Sequence, residues 1–178
     1  MIIVLNGYPG VGKLTIGREL APLLGGRLLD IHSVYNVAFA LTEFRSPQFR
    51  EAVERVESIA HDLILRLPEA VPVVLTTVLA GDSDWATAEW NRIVRLGDAR
   101  PPFLVVHVHC DLDENIHRIQ SPQRDEKRKP RDAEMARRNH HDNKALTGAD
   151  AANLLILDAT SKTALEAAQH IAAWANSL

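Results

Sequence analysis

Ile2-Ile3-Val4-Leu5-Asn6, running directly into Gly7-Tyr8-Pro9-Gly10-Val11-Gly12-Lys13-Leu14-Thr15, decides the fold. The short apolar run ending at a glycine-rich turn reads as a buried strand. A segment able to be helical follows the turn. Strand, Gly-x-x-x-x-Gly-Lys loop and helix together make a phosphate-binding loop. Its glycines let successive backbone N–H groups curl around a polyphosphate, because no Cβ blocks close approach. The helix that follows aims its positive N-terminal end at the same anion, and Lys13 adds a mobile full charge for the β- and γ-phosphates. The usual hydroxyl directly after the lysine is replaced by Leu14 and arrives one place later, at Thr15. A glycine-rich turn that merely joins strand to helix is the alternative, and the context of strand and helix favours nucleotide binding.

The 178 residues suit one domain with a substantial core. A net charge of -3 argues against a general nucleic-acid-binding surface. The single cysteine, Cys110, rules out an intrachain disulfide and fits a reducing compartment. Met1-Ile2-Ile3 lacks the basic flank and apolar core of a signal peptide, and no stretch reaches the length of a membrane span. A soluble, cytoplasmic protein acting as a monomer or homodimer is expected.

Strand and helix signals alternate along the chain. Ile16, Leu20, Leu23 and Leu24 have helical spacing, with Pro22 set to kink or shorten the helix and Gly25-Gly26 to stop it. Arg27 to Ile31 reads as a second strand, and His32 to Leu41 as partly helical. Ser46-Pro47 opens a helix to about Leu67 that should bury Phe49, Val53, Val56, Ala60, Leu63 and Leu67. Val73 to Leu79 is a third strand, rich in β-branched residues. Asp82 or Ser83 caps a helix to Gly97, and Phe103 to His109 forms strand four. Asp111 with Glu114 has the spacing of a capping box. Ser121 to Arg138 is polar and basic, a mobile loop returning as a helix near Asp132. Asn153 to Leu157 is the last strand, and Thr163 with Glu166 caps a terminal helix burying Leu165, Ala168, Ile171 and Trp174. This alternation predicts a parallel sheet covered on both faces, with the ligand at the strands' carboxyl ends, where Gly7, Asp30, Thr77, Cys110 and Asp158 fall.

Asp30, at the end of strand two, is placed to orient an acceptor hydroxyl, take its proton and reach a metal through water; the alternative is a carboxylate capping the next turn. His32, Tyr35 and Asn36 are candidates for an acceptor pocket, as are Thr76 and Thr77, which could equally be ordinary loop and strand residues. Arg118 and Arg124 flank the exit of the helix after strand four. Arginines there would neutralise transferring phosphoryl oxygens, and a basic lid over about 119–137 would exclude water; a solvated charged loop is the alternative. His107 with His109, His140 with His141, and Cys110 lack evident partners and read as structural.

These residues resemble those of the small-molecule P-loop kinases, the group holding adenylate kinase, shikimate kinase, gluconate kinase and chloramphenicol phosphotransferase. The resemblance implies a three-layer α/β/α fold, a five-stranded parallel sheet in the order 2-3-1-4-5, and ATP with Mg2+ as cofactors. The loop from Gly7 to Thr15, including Tyr8, Pro9, Gly10, Val11, Gly12, Lys13 and Leu14, is similar to the adenylate-kinase loop, which also delays its hydroxyl by one place. Thr15 is thereby implied as a phosphate ligand. Magnesium would be held mostly by water and nucleotide, with help from Thr15 and Asp30. Asp30 matches the carboxylate that shikimate kinases and chloramphenicol phosphotransferase place after strand two. Arg118 resembles the arginine that stacks on adenine, Arg124 the lid arginine, and Asp158, Thr160 and Ser161 the segment at the adenine edge. His32 stands where shikimate kinases carry a second acid, and Thr76-Thr77-Val78-Leu79 where they carry glycines; the Asp-Gly-Phe-Pro-Arg signature of adenylate kinases is absent. Together these features imply transfer of the γ-phosphate of ATP to a hydroxyl of a small molecule, a metabolite or an antibiotic. A nucleotide or polynucleotide 5′-hydroxyl kinase is a second reading, weakened for long nucleic acids by the net acidic charge. A non-catalytic ATP-binding regulatory protein is a third, kept open by Leu14 and by the missing Asp on strand three.

Overall fold

Strand β1 (Ile2–Asn6) is buried along its whole length, as its unbroken apolar run predicts for a strand covered on both faces. The computed structural model describes residues 1–121 and 132–178. Around β1 lie β2 (Arg27–Asp30), β3 (Val73–Thr77), β4 (Phe103–His109) and β5 (Leu154–Asp158). The sheet has five strands in the order β2-β3-β1-β4-β5, and every pairing is parallel. Register places Asn6 opposite both Thr77 and His107, so β1 and β3 finish level while β4 runs two residues farther, to His109. This is the fold and strand order that the P-loop resemblance implies.

Alternation along the strands divides the core. Ile3 and Leu5 face α1 (Lys13–Leu23) and α7 (Ala164–Ala175), packing with Ile16, Leu20, Ala168 and Ile171. Ile2 and Val4 face the opposite side, against Ile64 of α3 (Pro47–Leu65) and Ala86, Ile93 and Leu96 of α4 (Asp84–Ala99). A smaller cluster of Val34, Ala38, Phe49 and Val53 fastens α2 (Ile31–Leu41) to α3. Two further helices, α5 (Leu112–Gln120) and α6 (Ala133–Asp142), complete the described elements.

The helix starts follow their caps. Side-chain oxygens of Ser46, Ser83, Asp111, Asp132 and Thr163 each accept a backbone N–H of the first turn, and Thr163 with Glu166 forms a full capping box. Several sequence expectations are corrected. Leu63 and Leu165 are exposed, and the buried stripes use Ile64 and Ala167 instead. A helical stripe is wide enough for apolar neighbours to compete, and facing elements choose between them. Pro22 sits inside α1 without ending it; the helix runs to Leu23, and Gly25 then turns the chain with φ +64°. Strand β3 stops at Thr77 rather than Leu79, because the backbone of Leu79 bonds to Asn6 and Thr147 instead of a neighbouring strand. Strand β2 ends at Asp30, since the Ile31 N–H donates to the Thr76 hydroxyl and begins α2.

Candidate functional site

The turn between β1 and α1 needs backbone conformations that only glycine adopts without strain. Gly10 has φ +95° and Gly12 has φ +102°, and Gly12 is also the N-cap of α1. A Cβ at Gly10 would stand 2.4 Å from Asn115 Nδ2. The loop is braced from α5: Asn115 Nδ2 donates to the Pro9 carbonyl at 3.0 Å, and Arg118 Nη1 to the Val11 carbonyl at 3.0 Å. From the other side, the Tyr8 hydroxyl donates to the Lys144 carbonyl at 2.7 Å. Asn6, fully buried beneath the loop, donates to the carbonyls of Leu79 and Thr147 and accepts from the Leu79 N–H. Lys13 is largely buried, its ammonium curled back to donate to the carbonyls of Gly7 at 2.6 Å and Tyr8 at 2.9 Å. The Thr15 hydroxyl donates to the Gly12 carbonyl at 2.7 Å and is solvent-facing.

A cleft of about 1200 Å³ opens beside this loop. Its lining includes Lys13, Leu14, Thr15 and Asp30, so the loop and the end of β2 share one cavity. Asp30 Oδ1 accepts from the Thr76 hydroxyl at 2.6 Å, and the same hydroxyl accepts from the Ile31 N–H at 3.2 Å. Thr76 therefore fixes the carboxylate from the adjacent strand. Farther out, the wall turns aromatic: Tyr35, Phe39, Phe44, Phe49 and Trp85 line it, with Arg45 and Arg50 among them. Under that wall lies Glu89, only 3 % exposed. Its carboxylate accepts from the Tyr35 hydroxyl, which in turn accepts from Trp85 Nε1 at 3.2 Å. Burial pushes the Glu89 pKa up to about 7; the Tyr35 hydrogen bond opposes the rise and the charge of Glu57 reinforces it. Burial, then the nearby Glu89, holds the Tyr35 hydroxyl above its ordinary pKa.

On the far side of Arg118 a smaller hollow of about 250 Å³ is lined by Gly12, Thr15, Arg118, Ala159 and Lys162. Arg118 closes it with Nη2 on the Ala159 carbonyl at 2.7 Å and Nε on Glu114 at 2.6 Å. Asp158 accepts from the backbone and hydroxyl of Thr160, and those bonds, the hydroxyl's first, hold its carboxyl below the usual range.

Comparison with known proteins places this site in a family. The model of the family described as "AAA domain" matches residues 3–144, from β1 through the end of α6. The chain belongs to the AAA-domain family. No curated protein matches this AAA-domain chain by sequence. Among solved structures, it is similar to a candidate kinase from Chloroflexus aurantiacus, at 18% identity and TM-score 0.69, covering 99% of this chain and 96% of that one. It is likewise similar to a sugar kinase from Janibacter sp., at 16% identity and TM-score 0.64, covering 98% and 94%. A shikimate kinase from Acinetobacter baumannii, crystallised with shikimate, matches at 19% identity and TM-score 0.63, covering 99% and 93%. The AAA-domain chain thus shares the fold of small-molecule P-loop kinases.

Of the residues singled out by sequence, the large cleft brings together Pro9, Gly10, Gly12, Lys13, Leu14, Thr15, Asp30, His32, Tyr35, Thr76 and Arg118. Gly7 instead lies tight beneath the loop, where a Cβ would meet the Val108 carbonyl at 2.3 Å, and Val11 is core. Asn36 is exposed and outside the cleft lining, and Thr77 is buried against Glu89 rather than lining it. Asp158, Thr160 and Ser161 do not line the small hollow, which is lined instead by their chain neighbours Ala159 and Lys162; Ser161 is exposed. Arg124 and most of the proposed lid lie outside the described residues. His107 bonds to the Thr147 carbonyl at 3.1 Å, and no cluster of three metal-ligating side chains occurs among the described residues. Burial pushes the Cys110 thiol up to about 11, which keeps it protonated. Among the described residues no helix is long and apolar enough to cross a membrane.

Sequence reading missed Glu89, Asn6, Asn115, Arg45, Arg50 and Trp85 as parts of the site. Arg50 and Trp85 fall inside helices expected from the sequence with no local signal to single them out; nothing local marks Glu89 either, whose partner Tyr35 is 54 positions away.

Proposed function

We propose that this AAA-domain chain is a kinase that moves the γ-phosphate of ATP to a hydroxyl of a small molecule. The supporting observation is that Lys13 and the Thr76-held Asp30 line one cleft large enough for a nucleotide phosphate tail and a second molecule. In this reading the glycine loop and Lys13 bind the β- and γ-phosphates, and the small hollow beside Arg118 and Lys162 receives the base, with Arg118 against its face. Asp30 orients the acceptor hydroxyl and accepts its proton. The acceptor oxygen then bonds to the γ-phosphorus, the bond from that phosphorus to the β,γ-bridging oxygen breaks, and ADP leaves.

The donor set fits magnesium as a nucleotide-borne ion. Thr15 and Asp30 offer a hydroxyl and a carboxylate on the same cleft, and the absence of an acidic cluster among the described residues suits a metal that keeps much of its water. Bound there, the ion would neutralise charge on the phosphate oxygens. Arg124 and the basic segment around it would shield the same charge, within the reducing, cytoplasmic setting expected from the sequence.

ADP release measured with ATP, Mg2+ and a panel of hydroxyl compounds tests the proposal. Acceptor-dependent release is expected, lost in Lys13→Ala together with nucleotide affinity. Asp30→Ala should keep ATP binding and lose transfer. Release that no acceptor stimulates would favour a regulatory nucleotide-binding protein, and normal transfer by Asp30→Ala would remove the base assignment.

A further inference from the structure

The acceptor half of the cleft has a chemistry of its own. Phe39, Phe44 and Phe49 contact one another with ring centroids 5.2–5.7 Å apart. Phe39 and Phe44 remain 47% and 58% exposed although they line the cavity. Exposed rings grouped on a concave wall mark a surface that gains by being covered, and a flat apolar body covers it best. Trp85 continues the wall, its indole N–H already committed to Tyr35 and its ring approached by the guanidiniums of Arg50 and Arg92.

Two cations stand within this wall. The Arg45 guanidinium lies 5.1 Å from the Phe44 ring centroid, and that of Arg50 lies 5.4 Å from Trp85. Neither makes an ion pair among the described residues, in contrast to Arg92, which is held by Glu57 and Glu54. Stacking on a ring fixes the plane of a guanidinium while leaving its N–H edge for a planar anion. Both arginines sit at the start of α3, where the helix dipole also favours negative charge. The carboxylates Asp82 and Asp84 line the cleft as well, at the start of α4. Among the described residues neither carboxylate pairs with Arg45 or Arg50, which leaves both guanidiniums for an anion from outside.

We infer that the acceptor is a hydroxyl compound with a flat, apolar ring body and an anionic group, its ring against Phe39, Phe44, Phe49 and Trp85 and its anion on Arg45 and Arg50. This rests on the phosphotransferase reading only for the word acceptor; the binding preference stands without it. A polyhydroxylated acceptor without a ring would leave the aromatic wall uncovered and gain little from it.

The test uses the full chain, calorimetric binding and three probes: 4-(hydroxymethyl)benzoate, benzyl alcohol and gluconate. The aromatic acid should bind at least about tenfold more tightly than either the neutral ring or the ringless acid, a difference one charge-assisted bond can supply. Arg45→Gln and Arg50→Gln, both at exposed positions, should weaken the aromatic acid toward the level of benzyl alcohol while leaving benzyl alcohol unchanged. Gluconate binding as tightly as the aromatic acid, no binding of the aromatic acid at millimolar concentration, or its unchanged affinity in both variants would each overturn the assignment. ADP release with the same probes is read separately. The predicted binding order without ADP release supports this site and counts against phosphoryl transfer.

Discussion

Replacing Glu89 by glutamine should make the protein more stable at pH 8 and leave it little changed near pH 4.5. Glu89 is 3% exposed, and its neighbours are the Tyr35 hydroxyl, the Glu57 carboxylate, the Arg92 guanidinium and the Thr77 hydroxyl. Burial outweighs the favourable bonds, raising its pKa from 4.5 to about 7. A carboxyl whose folded-state pKa exceeds its unfolded value holds its proton more tightly in the folded chain. Its contribution is therefore fully present below pH 4.5 and is lost as the pH rises through 7. At 1.36 kcal/mol per pKa unit, the loss amounts to about 3 kcal/mol by pH 8. The glutamine of Glu89→Gln would carry no charge, would still accept from Tyr35, and would keep a polar end beside the buried Thr77 hydroxyl. For a domain of this size the gain at pH 8 corresponds to about 6–12 °C in Tm.

Thermal unfolding of both proteins from pH 4.5 to 8 measures the effect. His61, whose pKa burial lowers to about 4, and Glu57, whose pKa burial raises, titrate in wild type and variant alike. The difference between the two curves therefore isolates position 89, apart from its coupling to Glu57. A constant offset between the profiles across that range would refute the reasoning, because the buried carboxyl would then not be changing charge.

Two other substitutions probe the loop and the carboxylate. Gly10→Ala should cost about 2–4 kcal/mol in unfolding free energy, read by denaturant titration, since the position combines φ +95° with contacts of 2.4 and 2.6 Å to Asn115 and Ile119. Thr76→Val should lower kcat by on the order of tenfold without changing nucleotide affinity, because it removes the donor that holds Asp30; Thr76→Ser, which keeps both bonds, should restore it. Equal kcat in Thr76→Val and wild type would mean that Asp30 needs no such support.

The parts of the molecule visible in the sequence are those set by local chemistry. The Gly10 and Gly12 conformations, the caps at Ser46, Ser83, Asp111 and Thr163, and the strand-helix alternation all rest on residues a few positions apart. What stayed hidden depends on contacts made only after folding. Asn6 reaches Thr147 across 141 positions, and Arg118 reaches Val11 across 107. The choice of Ile64 over Leu63 is of the same kind, since both are apolar and the facing sheet decides. That Asp30 falls at the carboxyl end of β2 was readable from the local strand signal, although β3 separates that strand from the loop strand β1. Its tether to Thr76 required the register between β2 and β3.

The two halves of the cleft are built by different means, which bears on what each can tolerate. The glycine-loop half is locked by directional bonds to backbone carbonyls at Pro9, Val11, Leu79 and Thr147, so a misplaced atom there strands a buried polar group. The aromatic half is a set of rings, Phe39, Phe44 and Phe49, packed on one another over Tyr35 and Glu89. Ring packing accepts changes of size and shape more readily than a hydrogen-bonded lattice does. Substitutions at Phe39 or Phe44, both half exposed, should therefore alter which acceptor binds while leaving the loop and its nucleotide affinity intact. Nucleotide affinity falling in step with acceptor affinity in Phe39→Ala would show that the halves are coupled and that this division is wrong.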